Sequence, residues 1–347
     1  MLLQMMRRVA FPVVVVALLA AGCGGGGGGG GEKSGGETLS GAGSSLVFPL
    51  ASKWSEDYKQ RTGVTVNYNP IGSGGGIAEI TARDVDFGAS DAPLTPDQAQ
   101  AAEGVLQIPW ALAGTLFSYN LNGAPNKLKL TGPVIADLYL GKIKNWNDPA
   151  IAKLNPGVSL PASKVTPVFR SDGSGDTYAI TDYLSKVSPE WKKKVGVSTQ
   201  VNFPTGTGGK GNTGVAGGIS RTDGTIGYLA ISYVFENHLN YALIQDAAGK
   251  FPVPGIESIS AAARTVKKLP ADNAVSLTDP PASEPGAYPI ATFTYALVPE
   301  KSPKAEALRD FLTYAIGDGQ RFGRALQFAP LPNVVLEADR ATIARIK

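Results

Sequence analysis

Cysteine and histidine are almost absent from this chain of 347 residues, since each occurs once, as Cys23 and His238. A single cysteine forms no internal disulfide, so the fold must rest on its apolar core. The clusters of histidine and cysteine that build common metal sites are lacking. A Ser-His-Asp triad would have to use His238, which lies in a polar turn and is interpreted as a surface residue. The sequence therefore gives no case for catalysis, for a bound metal or for another cofactor.

Excess charge and long apolar runs are also lacking. Residues 1–22 carry two arginines and no acid, so without them the 32 basic and 29 acidic residues become 30 and 29. This near-balance argues against nucleic acid as a partner. The apolar run at residues 9–22 is too short for a spanning helix, and no later segment is long and apolar enough for one.

The amino terminus has the pattern of an export signal. Arg7 and Arg8 precede the apolar run, which ends in small residues and Cys23. This ending resembles a bacterial lipobox, so we predict that residues 1–22 are a lipoprotein signal peptide and that Cys23 is lipidated. A plain secreted protein with a spare thiol is the alternative. Either way, we expect an extracytoplasmic protein, anchored to the cell membrane or periplasmic.

A tether and a folded domain follow the predicted signal. Residues 23–37 contain eight consecutive glycines and are predicted to be a flexible link between membrane and domain. Beyond them, predicted strands alternate with predicted helices, which indicates an α/β fold with a mainly parallel sheet.

Three predicted strands run into Ser/Gly-rich turns that open helices, at Ser45, Ser73 and Ser174. Ligands of open α/β sheets gather at the carboxyl ends of the strands. Three helix starts that converge on one anion would form a specific site. Ordinary helix capping by serine and glycine would produce the same pattern.

The segment from Arg170 to Thr177, Arg-Ser-Asp-Gly-Ser-Gly-Asp-Thr, has the strongest ligand pattern. It joins a predicted strand at residues 165–169 to a predicted helix at residues 178–184. The first turn of that helix leaves N–H donors free and its dipole favours an anion. Arg170 adds a planar fork that suits two oxygens. We therefore predict a site for a tetrahedral oxyanion.

A second glycine-rich segment, residues 206–214, resembles a nucleotide loop at first sight. Pro204 stands where the first glycine of a P-loop belongs, and Gly211 replaces the Ser or Thr after the lysine. We interpret the segment as a tight loop before the next helix.

Taken together, these segments resemble the substrate-binding lipoproteins of bacterial ABC-type phosphate importers. The resemblance covers nearly all of residues 38–347, and its segments occur in the family's order. They are residues 41–45, 72–76, 86–91, 140–149 with 154–157, 170–177 and 208–212.

The resemblance implies a periplasmic-binding-protein fold of type II, in which two crossover strands join two α/β lobes around a ligand cleft. Lobe I would hold residues 38–112 and 290–347, and lobe II residues 113–289. The β-rich segments 114–119 and 290–295 would be the crossovers. Lobe closure would present a monomeric, loaded protein to the permease subunits of the importer.

The resemblance also implies which residues contact phosphate. They are Ser45, Leu46, Ser73, Asp91, Arg170, Ser174, Gly175 and Asp176. An ionised Asp91 only accepts hydrogen bonds, so it needs a ligand proton, which phosphate carries near neutral pH and sulfate does not. Arg170 would bind the anion and keep Asp91 ionised through an ion pair. Asp176 would either face the ligand or cap the helix that follows it.

The implied function is high-affinity binding of inorganic phosphate and its delivery to an ABC importer, without catalysis. Two alternatives stay open at this point. One is a receptor for another oxyanion such as sulfate. The other is a secreted phosphatase or hydrolase with Ser174 as nucleophile, although Ser174 lacks the G-x-S-x-G spacing.

Overall fold

Strands and helices alternate along residues 37–347, the part of the chain that the computed structural model describes. The strands are β1 Thr38–Gly43, β2 Thr65–Asn69, β3 Phe87–Ser90, β4 Val105–Asn120, β5 Lys129–Leu130, β6 Thr166–Arg170, β7 Thr207–Gly209, β8 Thr225–Ala230, β9 Asn240–Tyr241, β10 Leu243–Ile244 and β11 Ala291–Pro299. The predicted signal peptide, Cys23 and nearly all of the predicted tether lie outside the described residues.

Helices connect most of these strands. They are α1 Phe48–Thr62, α2 Ser73–Ala82, α3 Pro96–Ala101, α4 Gly132–Tyr139, α5 Pro149–Leu154, α6 Gly175–Val187, α7 Pro189–Lys194, α8 Gly211–Arg221, α9 Ile231–Glu236, α10 Ile256–Ala263, α11 Ala305–Ile316 and α12 Asn333–Ile343, with short 3-10 helices at Asp318–Phe322 and Arg324–Leu326. Within residues 37–347, no helix combines the length and apolarity needed to cross a membrane.

One mixed sheet in the order β2-β1-β3-β11-β4-β8-β6-β7 forms the centre of the fold, with β9 also paired to β4. The strands at both ends of the sheet run parallel to their neighbours, whereas every pair made by β4 or β11 is antiparallel. The prediction of an α/β fold is confirmed. The expectation of a mainly parallel sheet holds for the two ends and is wrong for the centre, because two long antiparallel strands join those ends.

The long strand β4 changes its partner at one point. Up to Gly114 it pairs with β11, and from Thr115 onward it pairs with β8. The two segments predicted as crossovers fall within β4 and at the start of β11. We call the side with β1 to β3 the first half of the sheet, and the side with β6 to β8 the second half. The exact lobe boundaries stay a prediction.

Strand β4 also supplies an aromatic side chain to the core of each half. Trp110 packs against Trp54 of α1, with ring centroids 5.1 Å apart. Past the change of partner, Phe117 packs against Tyr139 of α4 at 5.8 Å. All four rings are fully buried. Burial of aromatic rings of this size dominates core energetics, so β4 is anchored on both sides of Thr115.

Strand ends and helix starts then place the site. Strands β1, β3 and β6 end at Gly43, Ser90 and Arg170, and the chain turns there toward α1, α3 and α6. Helix α6 begins at Gly175, earlier than the predicted residue 178, because Ser174 caps it: its Oγ accepts a hydrogen bond from the N–H of Thr177 at 3.3 Å.

Candidate functional site

The residues implied by the sequence come together in one buried cluster between the two halves of the sheet. All eight are buried: Ser45, Leu46, Ser73, Asp91, Arg170, Ser174, Gly175 and Asp176. They come from the end of β6, from the loops after β1, β3 and β6, and from the first turns of α2 and α6. Residues up to 131 positions apart in the chain thus share one site.

Asp91, directly after β3, accepts hydrogen bonds from three hydroxyl groups. The Ser44 hydroxyl lies 2.6 and 2.7 Å from the two carboxylate oxygens. The Thr294 hydroxyl donates to Oδ1 at 2.9 Å and the Ser73 hydroxyl to Oδ2 at 3.2 Å. The carboxylate is therefore held by uncharged donors from three different segments.

Burial and the nearby charge of Asp176 raise the pKa of Asp91 to about 7, although the Ser44 and Thr294 hydroxyls and the charge of Arg170 lower it. The ion pair expected between Arg170 and Asp91 does not form within residues 37–347, and that expectation is wrong. The guanidinium instead contacts Asp172 in its own loop and Asp176 in the first turn of α6. Its charge lowers the pKa of Asp91 only in part, and burial keeps that pKa above its ordinary value.

Arg170 is 4% exposed and makes a two-pronged ion pair with Asp172. Its Nε donates to Asp172 Oδ1 at 2.8 Å, and its Nη2 donates to Oδ2. Its Nη1 donates to Asp176 Oδ2 at 3.0 Å. Burial disfavours the charged guanidinium, but the two acids outweigh that effect, so the pKa of Arg170 is raised. The group is a fixed cation with a fixed orientation.

Both carboxylate oxygens of Asp176, in the first turn of α6, accept hydrogen bonds from side chains. The Thr115 hydroxyl donates to Oδ1 at 2.6 Å, and the Asn212 amide donates to Oδ2 at 2.9 Å beside the Arg170 contact. Burial raises the pKa of Asp176, against the lowering effects of Arg170, Thr115 and Asn212. The helix cap is Ser174, so Asp176 orients Arg170 and Asn212 rather than the helix backbone. Its role toward a ligand stays a prediction.

The two halves of the sheet touch directly at the cluster. The N–H of Gly175 in the second half donates to Ser73 Oγ in the first half at 3.0 Å. The Asn212 amide donates to Ser45 Oγ at 3.0 Å. A side chain at Gly175 would place a Cβ 2.3 Å from the Cβ of Asp91, so only glycine fits there.

A small cavity of about 160 Å³ opens beside the cluster. Its lining includes Ser45, Asp172 and Asn212 from the cluster and Lys210 at its edge. A larger cavity of about 520 Å³ lies around Lys144 and contacts none of the predicted residues. Of these two cavities, only the smaller one is adjacent to the buried donors.

Five residues of the cluster were missed by sequence reasoning: Ser44, Thr115, Asp172, Asn212 and Thr294. Three of them lie in segments that carry the family resemblance. The two threonines lie in the predicted crossovers. A hydroxyl residue within an apolar strand was the feature of the sequence that could have indicated a buried hydrogen-bond donor there.

The features of a hydrolase are not assembled around Ser174. Its Oγ serves as the helix cap, and no histidine in residues 37–347 is within hydrogen-bonding distance of it. His238 is exposed in the turn after α9, as expected from the sequence. That part of the chain also contains no group of three potential metal ligands.

The chain is similar to proteins of one family. A family model described as the PBP superfamily domain matches residues 29–318. The phosphate-binding protein PstS of Xylella fastidiosa (strain Temecula1) is 44% identical over 306 residues, covering 87% of this chain and 84% of that protein. The phosphate-binding protein PstS of Pasteurella multocida is 42% identical over 311 residues, covering 88% and 89%.

A solved structure has the same fold. The high-affinity periplasmic phosphate-binding protein PfluDING, determined with bound phosphate, superposes with a TM-score of 0.70. It covers 88% of this chain and 93% of its own length at 20% identity.

Proposed function

We propose that this chain, which belongs to the PBP superfamily and within it to the PstS phosphate-binding proteins, binds inorganic phosphate outside the cytoplasmic membrane and delivers it to an ABC importer. The observation that carries the proposal is the buried cluster, which joins a guanidinium, hydroxyl groups and helix N–H groups to a buried carboxyl group, Asp91. Such a set complements an oxyanion that carries a proton.

The proposed phosphate contacts are those implied by the resemblance. Ser45, Ser73 and Ser174 would donate through their hydroxyls, and Leu46 and Gly175 through backbone N–H groups. The remaining contacts are Arg170 as the fixed cation and Asp91 and Asp176 as acceptors for ligand protons. Their common burial supports the assignment, because hydrogen bonds count for more where water is excluded.

The proposed motion is a hinge between two lobes, residues 38–112 with 290–347 and residues 113–289. The change of partner along β4 at residues 114 and 115 supports this division. The N–H of Gly175 and the hydroxyl of Ser73, which contact each other in this structure, would both turn to the ligand in the phosphate complex, and the permease subunits would receive the closed form. Lipidation of Cys23 after removal of residues 1–22 would hold the monomer at the membrane through the tether.

The proposed role is that of a receptor without catalysis. Titration calorimetry with phosphate, repeated in the presence of sulfate, tests it. A site that depends on a ligand hydrogen bond rejects analogues lacking it by about 10⁴–10⁵-fold. We expect tight phosphate binding at pH 8 and little effect of a large excess of sulfate.

A phosphomonoester assay on the same preparation completes the test. We expect no turnover of the ester. Comparable affinities for the two anions would contradict the role of Asp91, and hydrolysis that is lost in Ser174→Ala would contradict a pure receptor.

A further inference from the structure

Each of the two buried acids receives a hydroxyl hydrogen bond from one of the two strands that join the halves. Thr294 on β11 donates to Asp91 Oδ1 at 2.9 Å, and Thr115 on β4 donates to Asp176 Oδ1 at 2.6 Å. Both threonines are fully buried. A hydroxyl in an apolar strand that is aimed at a carboxylate is a specific arrangement, since burial of an unpaired hydroxyl is costly.

The backbone holds Thr294 firmly in this position. It pairs with Ala111 of β4, and the register between the two strands shifts directly after it. Two residues earlier, the Thr292 hydroxyl donates to the backbone carbonyl of Asp91 at 3.0 Å. The strand therefore contacts Asp91 at two points, and the Thr294 hydroxyl reaches the carboxylate itself.

Hydroxyl donors favour the ionised form of Asp91 more than the nearby charges do. Asp176 disfavours the ionised form, and Arg170, the nearest cation, makes its ion pairs with Asp172 and Asp176. Two further titratable neighbours, Tyr68 and Tyr233, have pKa values raised by burial and stay neutral. Hydrogen bonds to the ionised form of a carboxyl favour that form.

We propose that Thr294 is a positioning residue that sets the anion selectivity of the site by keeping Asp91 in its acceptor form. The inference rests on the proposed function. An ionised Asp91 requires a proton on the ligand, whereas a protonated Asp91 donates one and accommodates a fully deprotonated oxyanion such as sulfate. Selectivity for phosphate then fails where Asp91 becomes protonated. The Thr294 hydroxyl, together with that of Ser44, lowers the pH at which this happens.

The experiment compares sulfate competition across pH in the full chain and in Thr294→Val, which keeps the branched shape and loses the hydroxyl. Phosphate affinity is measured by calorimetry with and without sulfate between pH 6 and 9. In the variant, we expect the onset of sulfate competition to move up by about one pH unit, which is a tenfold loss of selectivity at a fixed pH in that range. Thr294→Ser keeps the hydroxyl and should restore the parent profile.

Ser118→Ala is the matched control on the other joining strand. Ser118 is fully buried in β4, and its hydroxyl has no hydrogen-bond partner among the described residues. The control should bind both anions like the parent at every pH. If loss of any buried hydroxyl altered the site through the structure alone, Ser118→Ala and Thr294→Val would shift the pH profile of sulfate competition equally.

The outcomes separate this inference from the proposed function. A parent chain that does not bind phosphate overturns the proposed function. A parent that binds phosphate selectively, with a Thr294→Val variant of unchanged pH profile, overturns only the role of Thr294. Should Thr294→Val lack a cooperative thermal transition, Thr294→Ala carries the same test, and a parent-like profile in that variant overturns the inference equally.

Discussion

At the scale of residues, the cluster contains one cation and three carboxyl groups. Arg170 is paired by Asp172 and Asp176, and Asp91 lies in the same cluster. The cluster is not a positive pocket, so an anion held there must be bound mainly by hydrogen bonds. The protons on the ligand and on the acids then decide the affinity. The proposed selectivity between oxyanions would therefore depend on these protons and not on an excess of positive charge.

Replacement of Arg170 separates its charge from its shape. Arg170→Ala leaves Asp172 and Asp176 without their cation, and we expect phosphate affinity to fall by about 1.5–3 kcal/mol or more. Arg170→Lys should restore only part of the loss, because an ammonium group lacks the planar fork. Calorimetry measures both, with Arg61→Ala as an exposed control whose ion pairs matter little. If Arg170→Ala binds phosphate with the affinity of the parent, Arg170 is not a phosphate contact.

Asp176 is tested through pH dependence. If it shares a ligand proton as Asp91 does, the complex holds more protons than its separate components. Phosphate affinity should then rise as pH falls toward roughly 6, where phosphates titrate, by up to about tenfold per pH unit. Asp176→Thr removes one acceptor and should flatten this rise. Parallel profiles from calorimetry at several pH values would restrict Asp176 to orienting Arg170 and Asn212.

At the scale of elements, helix starts face one another across the two halves. The first turn of α6 lies against Ser73 at the start of α2, and Asn212 at the start of α8 contacts Ser45. Each of these turns carries N–H groups that lack partners within the helix. The start of α6 can approach the first half this closely only because Gly175 has no side chain, since the backbone of α6 there packs against the side chain of Asp91.

Gly175→Ala therefore blocks the approach without damaging either core. The added Cβ would lie 2.3 Å from the Cβ of Asp91. We expect phosphate affinity to fall at least tenfold while far-UV circular dichroism stays unchanged. Gly217→Ala in α8 is the control, because its Cβ meets only the flexible end of Arg221 and alanine favours helices. Tight binding by Gly175→Ala would show that the halves do not need this contact.

At the scale of the whole molecule, one buried acid far from the cluster in sequence links stability to pH. Asp339 in α12 is fully buried, and neither carboxylate oxygen has a hydrogen-bond partner among the described residues. Burial raises its pKa from 3.8 to about 9, with a small opposing effect of Arg340. The folded state thus binds a proton that the unfolded state releases, so stability falls as pH rises from about 4 to about 9.

Asp339→Asn should remove this pH dependence. We expect the stability gain of the variant over the parent to be larger at pH 8.5 than at pH 5, by up to about 1.4 kcal/mol per pH unit, because the parent must take up a proton on folding and the variant does not. Thermal melts at the two pH values measure the difference, and the exposed Asp318→Asn is the control. If the substitution shifts the melting temperature equally at both pH values, Asp339 is not the group that takes up the proton on folding.

Local patterns in the sequence already determined the alternation of strands and helices, and they led to the prediction that the loop at Arg170 binds an anion. They did so because glycine turns, helix caps and apolar spacing depend on residues within a few positions of each other. The same kind of pattern placed Ser45, Ser73 and Ser174 in turns that lead into helices. The family resemblance then singled out Asp91 and Asp176 among the acids.

Only the tertiary structure decided which groups hold those acids. Thr294 lies 203 residues from Asp91, and Thr115 lies 61 residues from Asp176. No local pattern specifies such pairs. The antiparallel register of β11 with β3 brings Thr294 to Asp91, and the contact of α6 with β4 brings Asp176 to Thr115. The two partners of Arg170 are local by contrast, since Asp172 and Asp176 lie two and six residues after it. The folded structure was needed only to show that the guanidinium pairs with these acids, while three hydroxyls donate to Asp91. Hydrogen bonds across the fold thus set the charge state of the site, and the sequence alone contains no direct record of them.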